Sequence, residues 1–72
     1  MNIEKLHVSA SNGVVPNDAY SIEYLNGEYK AIRGDRNPYY LETALSSRDQ
    51  AINAIQRDAE SKGASGISIR GW

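Results

Sequence analysis

The chain has 72 residues, with eight Lys and Arg against nine Asp and Glu, a formal net charge of −1, and no cysteine. These counts exclude a disulfide scaffold and a cysteine-ligated metal site. Below roughly 80 residues a hydrophobic core seldom supplies more than about 3–5 kcal/mol, so we expect residues 1–72 to form a single small domain. The near-zero charge also lacks the electrostatic signature of non-specific nucleic-acid binding.

The start of the chain has the pattern of neither a signal peptide nor a membrane-spanning helix. No apolar run approaches the roughly 18 residues that a spanning helix needs. Met1–Val8 alternates charged and apolar residues instead of presenting an apolar core. We therefore expect a cytoplasmic protein that does not associate with membranes.

The first predicted elements are a strand and a loop. Lys5–Ala10 alternates, with Leu6 and Val8 among the apolar residues on one side, which predicts a half-buried strand. Ser11–Asp18 contains the dipeptides typical of turns and is predicted to be a loop. We expect its paired valines at positions 14 and 15 to tuck under the edge of the sheet.

A β-hairpin follows. Tyr20–Leu25 and Glu28–Arg33 flank Asn26 and Gly27, the dipeptide favoured in two-residue type I′ turns. This turn places residues that add up to 53 opposite each other and therefore predicts the register. Tyr24 is then expected opposite Tyr29.

The register separates the hairpin into two faces. The face suited to burial carries Tyr20, Ile22, Tyr24, Tyr29 and Ala31. The second face is mostly polar and carries Ser21, Glu23, Glu28 and Lys30. On it, Glu23 is expected to pair with Lys30. Leu25 and Ile32 also lie on this second face, where they are not expected to contact the main core.

The segment after the hairpin is open to two interpretations. Tyr39–Ala44 is either a further strand or part of a twelve-residue connection from Gly34 to Leu45, which would be long for a compact domain. A final strand is predicted at Gly66–Arg70, because its apolar residues alternate. The pattern leaves open whether this strand inserts beside Leu6–Ala10 or pairs at an edge.

A helix is predicted from Arg48 to Lys62. Ser47 is suited to cap its start, with Gln50 three residues on as the second member of a capping box, and Gly63 is suited to end it. The apolar stripe consists of Ala51, Ile52, Ile55 and Ala59. The outer face is expected to carry Asn53, Arg57, Asp58, Glu60 and Ser61.

These elements predict an α+β fold in the order β-β-β-(β)-α-β. We expect a two-layer sandwich in which one helix packs on one face of a mainly antiparallel sheet of 3–5 strands. The other face and the Gly34–Tyr40 loop would be the principal surfaces left for function.

Catalysis is not expected. His7 is the single imidazole of the chain and lies on a predicted strand between Lys5 and Ser9, where it is expected to face solvent. Asp58 and Glu60 are two residues apart on a helix and so do not face each other; we expect both to be solvated surface charges. One His with scattered acids matches no metal-ligand spacing, and we predict no cofactor, metal or small-molecule ligand.

Three short motifs match known binding sequences but have simpler interpretations. Arg33-Gly34-Asp35 is the integrin tripeptide, yet it is typical of an ordinary turn after a strand. Residues 63–66 have the glycine spacing of the nucleotide-clamping loop in KH domains, which a helix cap and a turn also explain. Residues 46–48 have phosphate-binding groups at a helix start, where capping is the simpler explanation.

The most informative cluster for partner binding is the connection after the hairpin. It joins two cations to two adjacent aromatic residues, and Tyr39 and Tyr40 must point to opposite faces of a strand, so at least one is expected to be exposed. Tyrosine and arginine are enriched at interface hot spots. The predicted partner-binding residues are Arg33, Arg36, Tyr39, Tyr40, Leu25, Ile32 and Trp72. Trp72 is alternatively expected to close the edge of the sheet.

Two functional hypotheses follow from these residues. The first is a small non-catalytic protein-binding module (an inhibitor, an adaptor or an accessory factor) that binds a protein partner or a second copy of itself. The second is a nucleic-acid-binding module that uses the exposed face of the sheet and the Arg33–Tyr40 loop, with Lys30, Arg33, Arg36 and Tyr40 as contacts. The pattern of three strands and a packed helix over Tyr20–Ser61 resembles the small sheet-plus-helix DNA-binding domains, including the arm-binding domains of integrases. This resemblance implies major-groove binding by the sheet and assigns no residue.

Overall fold

A computed structural model describes residues 2–14, 19–34 and 36–71. Its elements, in chain order, are β1 (Asn2–Ala10), β2 (Tyr20–Leu25), β3 (Glu28–Arg33), β4 (Tyr39–Leu45), α1 (Arg48–Ser61) and β5 (Ile67–Gly71). The strands form one antiparallel sheet in the order β4-β3-β2-β1-β5, and α1 packs on one face of it. The predicted α+β fold is confirmed, and the segment that the sequence left open is strand β4.

The hairpin has the predicted turn and register. Asn26 and Gly27 both have positive φ, 52° and 80°, as a type I′ turn requires. Tyr24 pairs with Tyr29, and their ring centroids are 4.7 Å apart. The local turn chemistry therefore determines the pairing of β2 with β3.

Strand β1 joins two parts of the sheet. Its first half, Asn2–Leu6, pairs with β2, and its second half, Leu6–Ala10, pairs with β5. β1 begins three residues earlier than the alternation from Lys5 predicted. The final strand thus lies beside β1 and at the edge of the sheet.

Strand β4 forms the opposite edge and is irregular. Its register with β3 shifts between Tyr29 and Ala31 and again between Ala31 and Ile32. Ala44 has a φ of 57°, in the left-handed region that a non-glycine residue rarely adopts. Such irregularities twist an edge strand and make it a poor template for pairing with another chain.

The start of α1 is capped nearly as predicted. The Ser47 hydroxyl accepts a 3.2 Å hydrogen bond from the Gln50 backbone N–H. The Gln50 side chain accepts a 2.9 Å bond from the backbone N–H of Ser46, one residue before the position that a capping box uses. Two of the groups at this helix start are therefore satisfied within the chain.

The end of α1 is a Schellman motif. Gly63 has a φ of 97° and donates its N–H to the Glu60 carbonyl at 3.0 Å. The N–H of Ala64 donates to the Ala59 carbonyl at 3.2 Å. Ala64 is buried, so the last turn is held by packing as well as by hydrogen bonds.

The core lies between α1 and the sheet. Its buried cluster consists of Leu6, Tyr20, Ile22, Ala31, Ala51, Ala54 and Ile55. The helix contributes two small alanines and Ile55 to this cluster, which lets it lie close to the strands. Two predictions need correction: Tyr24 was assigned to the buried face but is 40% exposed at the hairpin end, and Ala54 belongs to the buried stripe, where Ile52 is half-buried.

Asp58 also faces the sheet, against the prediction that it is a solvated charge. Its side chain is 12% exposed and accepts hydrogen bonds from the Tyr20 hydroxyl at 2.7 Å and from the Arg33 guanidinium at 2.9 Å. Asp58 follows Ala54 by four residues and Ile55 by three, and this spacing places it on the buried face of the helix. Asp58 thus adds a polar contact with the sheet next to the apolar stripe of the helix.

The loops beside β5 pack against each other. Ser11 donates its N–H to the Gly66 carbonyl at 3.0 Å, and the Asn12 amide donates to the Gly63 carbonyl at 2.9 Å. Residues 63–66 join a helix to a strand, whereas a KH clamp joins two helices, so that interpretation is wrong. Val14 is 39% exposed and does not tuck under the sheet, and Val15 lies outside the described residues.

Candidate functional site: the helix-free face of the sheet

The face of the sheet opposite α1, here called the helix-free face, is organised in two rows across the strands. Residues that pair directly in adjacent antiparallel strands point to the same face. One row consists of Lys5, Ser21, Ile32 and Tyr40, one residue from each of β1 to β4. The second consists of Ile3, Glu23 and Lys30. The register thus gathers apolar and charged side chains from four strands.

A groove of about 480 Å³ lies on this face, over β2 and β3 and between β1 and the β4 side of the sheet. Ile3 and Lys5 line one side of it, Pro38 and Tyr40 line the other, and Ile32 contributes to its floor. Ile3 is 53% exposed and Tyr40 is 48% exposed, so both walls offer apolar surface to a partner. The volume lies within the approximately 300–1,000 Å³ of typical ligand sites.

Glu23 is a buried carboxylate in this groove. The residue is 6% exposed, and its nearest charged partner is the Lys30 ammonium, at 3.7 Å from its Oε1. This confirms the predicted cross-strand pair, but the distance exceeds the approximately 2.7–2.9 Å of a charge-assisted hydrogen bond. Within residues 2–14, 19–34 and 36–71, no group donates a hydrogen bond to this carboxylate.

Lys30 lies between the carboxylate and an aromatic ring. Its Nζ is 5.5 Å from the centroid of the Tyr40 ring, and its side chain is 28% exposed. A cation over a tyrosine face within about 6 Å is attracted by the ring quadrupole. Glu23 and Tyr40 together thus form a position for a positive charge on the helix-free face.

The predicted partner-binding residues divide between the two faces. Tyr40 and Ile32 lie on the helix-free face, although Ile32 is 5% exposed and so contributes a buried floor rather than the exposed surface that the sequence suggested. Leu25 is 38% exposed at the end of the hairpin, outside the lining of the groove. Arg36 is exposed in the turn before β4, and Trp72 lies outside the described residues.

Arg33 and Tyr39 lie on the helix side. The Arg33 guanidinium donates to Asp58 and lies 4.9 Å from the centroid of the Tyr39 ring, which is itself 59% exposed. The prediction that Tyr39 and Tyr40 point to opposite faces is confirmed. Of the integrin tripeptide, Arg33 is thus held by Asp58, and Asp35 lies outside the described residues.

The phosphate-binding groups proposed at the start of α1 are used within the chain. Arg48 donates two hydrogen bonds to the Glu4 carboxylate, at 2.8 and 2.7 Å, while Ser47 caps the helix. The Arg48 guanidinium lowers the pKa of Glu4. The prediction that Ser47 caps the helix is therefore confirmed, and the Arg48 side chain binds Glu4 of β1.

The groove itself was not predicted from the sequence. The sequence did not identify Ile3 and Pro38 as site residues. The alternation of apolar and polar residues continues back to Ile3, and this signal could have predicted the longer β1 that forms one side of the groove.

His7 is exposed on the helix-free face, opposite Arg70 of β5. In the described ranges no group of three or more His, Asp or Glu side chains could hold a metal ion, and no helix is long and apolar enough to cross a membrane.

Two smaller hollows lie between β4 and α1, with volumes of about 290 and 220 Å³. Their linings include the charged side chains of Glu42 and Arg57 and offer less apolar surface than the groove.

No protein-family model, curated protein or solved structure matches the chain. The groove on the helix-free face is accordingly the strongest candidate site.

Proposed function

We propose that the chain is a non-catalytic protein-binding module that docks a partner on the helix-free face. One observation carries the proposal: Ile3 and Tyr40, both about half exposed, flank a groove whose floor is Ile32. An exposed apolar surface with a charged rim is typical of protein interaction sites. Tyrosine provides large contact area at low conformational cost and is enriched at interface hot spots.

The polar groups of the groove also favour binding over catalysis. Its described lining supplies the Glu23 carboxylate, the Lys5 ammonium and hydroxyl groups such as those of Ser21 and Tyr40, and contains no imidazole as a base for a nucleophile. Such groups fix the orientation of a bound segment through hydrogen bonds and charge. The sheet provides a rigid support for Glu23 and Ser21, because β2 is paired on both sides.

The nucleic-acid hypothesis stays a prediction that the same surface can test. Of its four expected contacts, Lys30 and Tyr40 lie on the helix-free face, whereas Arg33 is bound to Asp58 on the other side. Glu23 lies beside Lys30 and would repel a phosphate. This arrangement favours a protein partner.

The test compares two adjacent tyrosines on opposite faces. Wild-type protein, Tyr40→Ala and the matched control Tyr39→Ala are each measured by light scattering over a concentration series and then used to capture partners from a source lysate. We expect Tyr40→Ala to weaken the association at least about 30-fold, the size of a hot-spot effect, and Tyr39→Ala to retain it. An Ile3→Ser variant should act like Tyr40→Ala, because it removes apolar surface from the opposite wall.

Three results would contradict the proposal. The first is a monomer that retains no protein, and the second is an equal loss of association in both tyrosine variants. The third is binding to duplex DNA at about 50 mM salt, with a logarithm of affinity that falls against the logarithm of salt concentration by about 0.9 per phosphate contact. The last result would favour the nucleic-acid hypothesis instead.

A further inference from the structure

We propose that the partner inserts an arginine side chain into the groove, where its guanidinium displaces the Lys30 ammonium from Glu23. The inference rests on the proposed function and names the chemistry of the partner: an extended segment of another protein with an arginine between apolar residues. Glu23 would bind the guanidinium, Tyr40 would stack on it, and Ile3 and Ile32 would contact the apolar neighbours.

The first argument is that Glu23 presents hydrogen-bond acceptors to the groove. An ionised carboxylate has about four acceptor positions, and a buried carboxylate is stabilised mainly by hydrogen bonds and a close counter-charge. Glu23 is buried, yet among the described residues its one charged contact is the 3.7 Å approach of Lys30. No buried side-chain oxygen of the described residues lacks a partner, so the Glu23 oxygens open to the groove, where an entering donor can reach them.

The second argument is that Lys30 marks the position of the incoming cation. Its ammonium is placed between the Glu23 carboxylate and the Tyr40 ring, so this position accepts a positive charge. The ammonium is joined to its strand by a flexible four-carbon stem and is partly exposed, which lets it move into solvent when another cation arrives. Lys30 thus acts as an internal substitute for the cation of the partner.

The third argument comes from the opposite face of the same strands. There, Arg33 donates to the Asp58 carboxylate at 2.9 Å and stacks 4.9 Å from the Tyr39 ring centroid. A guanidinium held between a carboxylate and a tyrosine of β4 is therefore an arrangement that this sheet already accommodates. On the helix-free face, Glu23 and Tyr40 supply the same two partners with a lysine in the third position.

Arginine fits this position better than lysine. Its planar fork can donate two parallel hydrogen bonds to one carboxylate, and its flat face stacks on an aromatic ring. An ammonium is a compact point charge that cannot make both contacts in this way. The exposed Ile3 and Tyr40 side chains extend the contact beyond the charged pair, which favours a protein segment over a free small cation.

The experiment is an NMR titration of the full isotope-labelled chain with three acetylated and amidated tripeptides. Their central residue is arginine, lysine or citrulline, which is the neutral analogue of arginine, and both flanking residues are leucine. We expect the arginine peptide to shift the resonances of Glu23, Ile32 and Tyr40. The citrulline peptide should bind at least about tenfold more weakly, because it lacks the charge of the guanidinium.

Two variants test the separate roles of the carboxylate and the lysine. Glu23→Gln should weaken binding of the arginine peptide at least about tenfold, whereas the exposed-helix control Glu60→Gln should leave it unchanged. Lys30→Met should tighten binding about threefold or more, because the guanidinium no longer competes with an internal cation. Lys30→Met keeps the inference testable if Glu23→Gln does not fold.

Four results would overturn the inference: no resonance shift at millimolar peptide, equal shifts with arginine and citrulline, unchanged binding by Glu23→Gln, or weaker binding by Lys30→Met. The capture experiment distinguishes failure of the arginine inference from failure of the proposed function. If Tyr40→Ala loses the captured partner but Glu23→Gln retains it, the groove binds protein without an arginine contact. If neither variant differs from wild type in capture, both proposals fail.

Discussion

The Asp58 carboxylate in α1 accepts a 2.7 Å hydrogen bond from the Tyr20 hydroxyl in β2. Tyr20 is 2% exposed, so its hydroxyl has lost its access to bulk water and needs a partner inside the protein. The second oxygen of Asp58 accepts a bond from Arg33 in β3. One helical carboxylate therefore joins α1 to two central strands and aligns the helix over the sheet.

We expect Asp58→Ala to destabilise the protein by about 1.5–3 kcal/mol, the range for hydrogen bonds to a charged group. The substitution leaves the Tyr20 hydroxyl and the Arg33 guanidinium without this acceptor. Urea unfolding measures the free energy, with Glu60→Ala as an exposed-helix control that should stay within about 0.5 kcal/mol of wild type. Tyr20→Phe and the double variant complete a cycle, in which a coupling energy near zero would contradict the role assigned to the pair.

The hairpin and the ends of the helix could be predicted because their determinants are local. Asn26-Gly27 requires positive φ at two adjacent positions, and Ser47 and Gly63 act on backbone groups within one turn of themselves. The Asp58 contact depends on how the helix is placed over the sheet. A charged residue at the end of an apolar stripe is compatible with either solvent or a buried partner until that placement is known.

The groove depends on relationships between distant parts of the chain. The burial of Glu23 requires β1 to extend to Asn2, so that Ile3 lies beside it, and requires β4 to place Tyr40 beside Ile32. The sequence predicted the Glu23–Lys30 pair, since both residues belong to one hairpin. It did not predict a groove, because two of its four strands are brought in by contacts outside that hairpin.

Two glycines near β5 provide a matched pair for testing the loop contact. Both have positive φ, 97° at Gly63 and 61° at Gly66, so alanine at either position costs about 1–2 kcal/mol in backbone strain. A Cβ at Gly63 would meet open space, whereas a Cβ at Gly66 would overlap the Ser11 hydroxyl and lie 2.8 Å from its Cβ. We expect Gly66→Ala to cost about 1–3 kcal/mol more than Gly63→Ala.

Thermal or urea unfolding of the two variants measures this difference. Rotation of the Ser11 hydroxyl cannot remove the contact with its Cβ, so the excess cost should persist in Gly66→Ala. Measured in a Ser11→Gly background, Gly66→Ala should cost no more than Gly63→Ala costs in wild type, because the overlapping atoms are absent. Equal destabilisation by the two single alanine variants would show that the 63–66 segment does not pack tightly on Ser11.

The Glu4–Arg48 ion pair predicts a modest dependence of stability on pH. The hydrogen bonds from Arg48 hold the folded-state pKa of Glu4 below its ordinary value. The stabilisation is therefore present above the unfolded-state pKa and is lost as the pH falls through the folded-state value. Because the Arg48 and Glu4 side chains are 46% and 41% exposed, we expect a contribution of only about 0.2–1 kcal/mol.

Glu4→Gln tests this contribution. At about pH 7 and low salt the variant should be less stable than wild type by that amount, and the difference should vanish below the folded-state pKa. Salt near 1 M should also reduce it, because the Debye length falls to about 3 Å. A difference that is constant across the acid range would mean that Glu4 stabilises the fold through packing rather than through charge.

The last prediction concerns the strained edge strand. Ala44 has a φ of 57° and an exposed side chain, so glycine there would relieve left-handed strain without removing a packing contact. That strain costs about 1–2 kcal/mol, and the greater freedom of glycine in the unfolded chain offsets about 0.5–1 kcal/mol of the relief. We expect Ala44→Gly to raise the free energy of unfolding by about 0.5 kcal/mol. Ala10→Gly in β1, where φ is not positive, should lower it by about 0.5–1 kcal/mol, so a loss of stability in both variants would show that β4 does not hold Ala44 in the left-handed region.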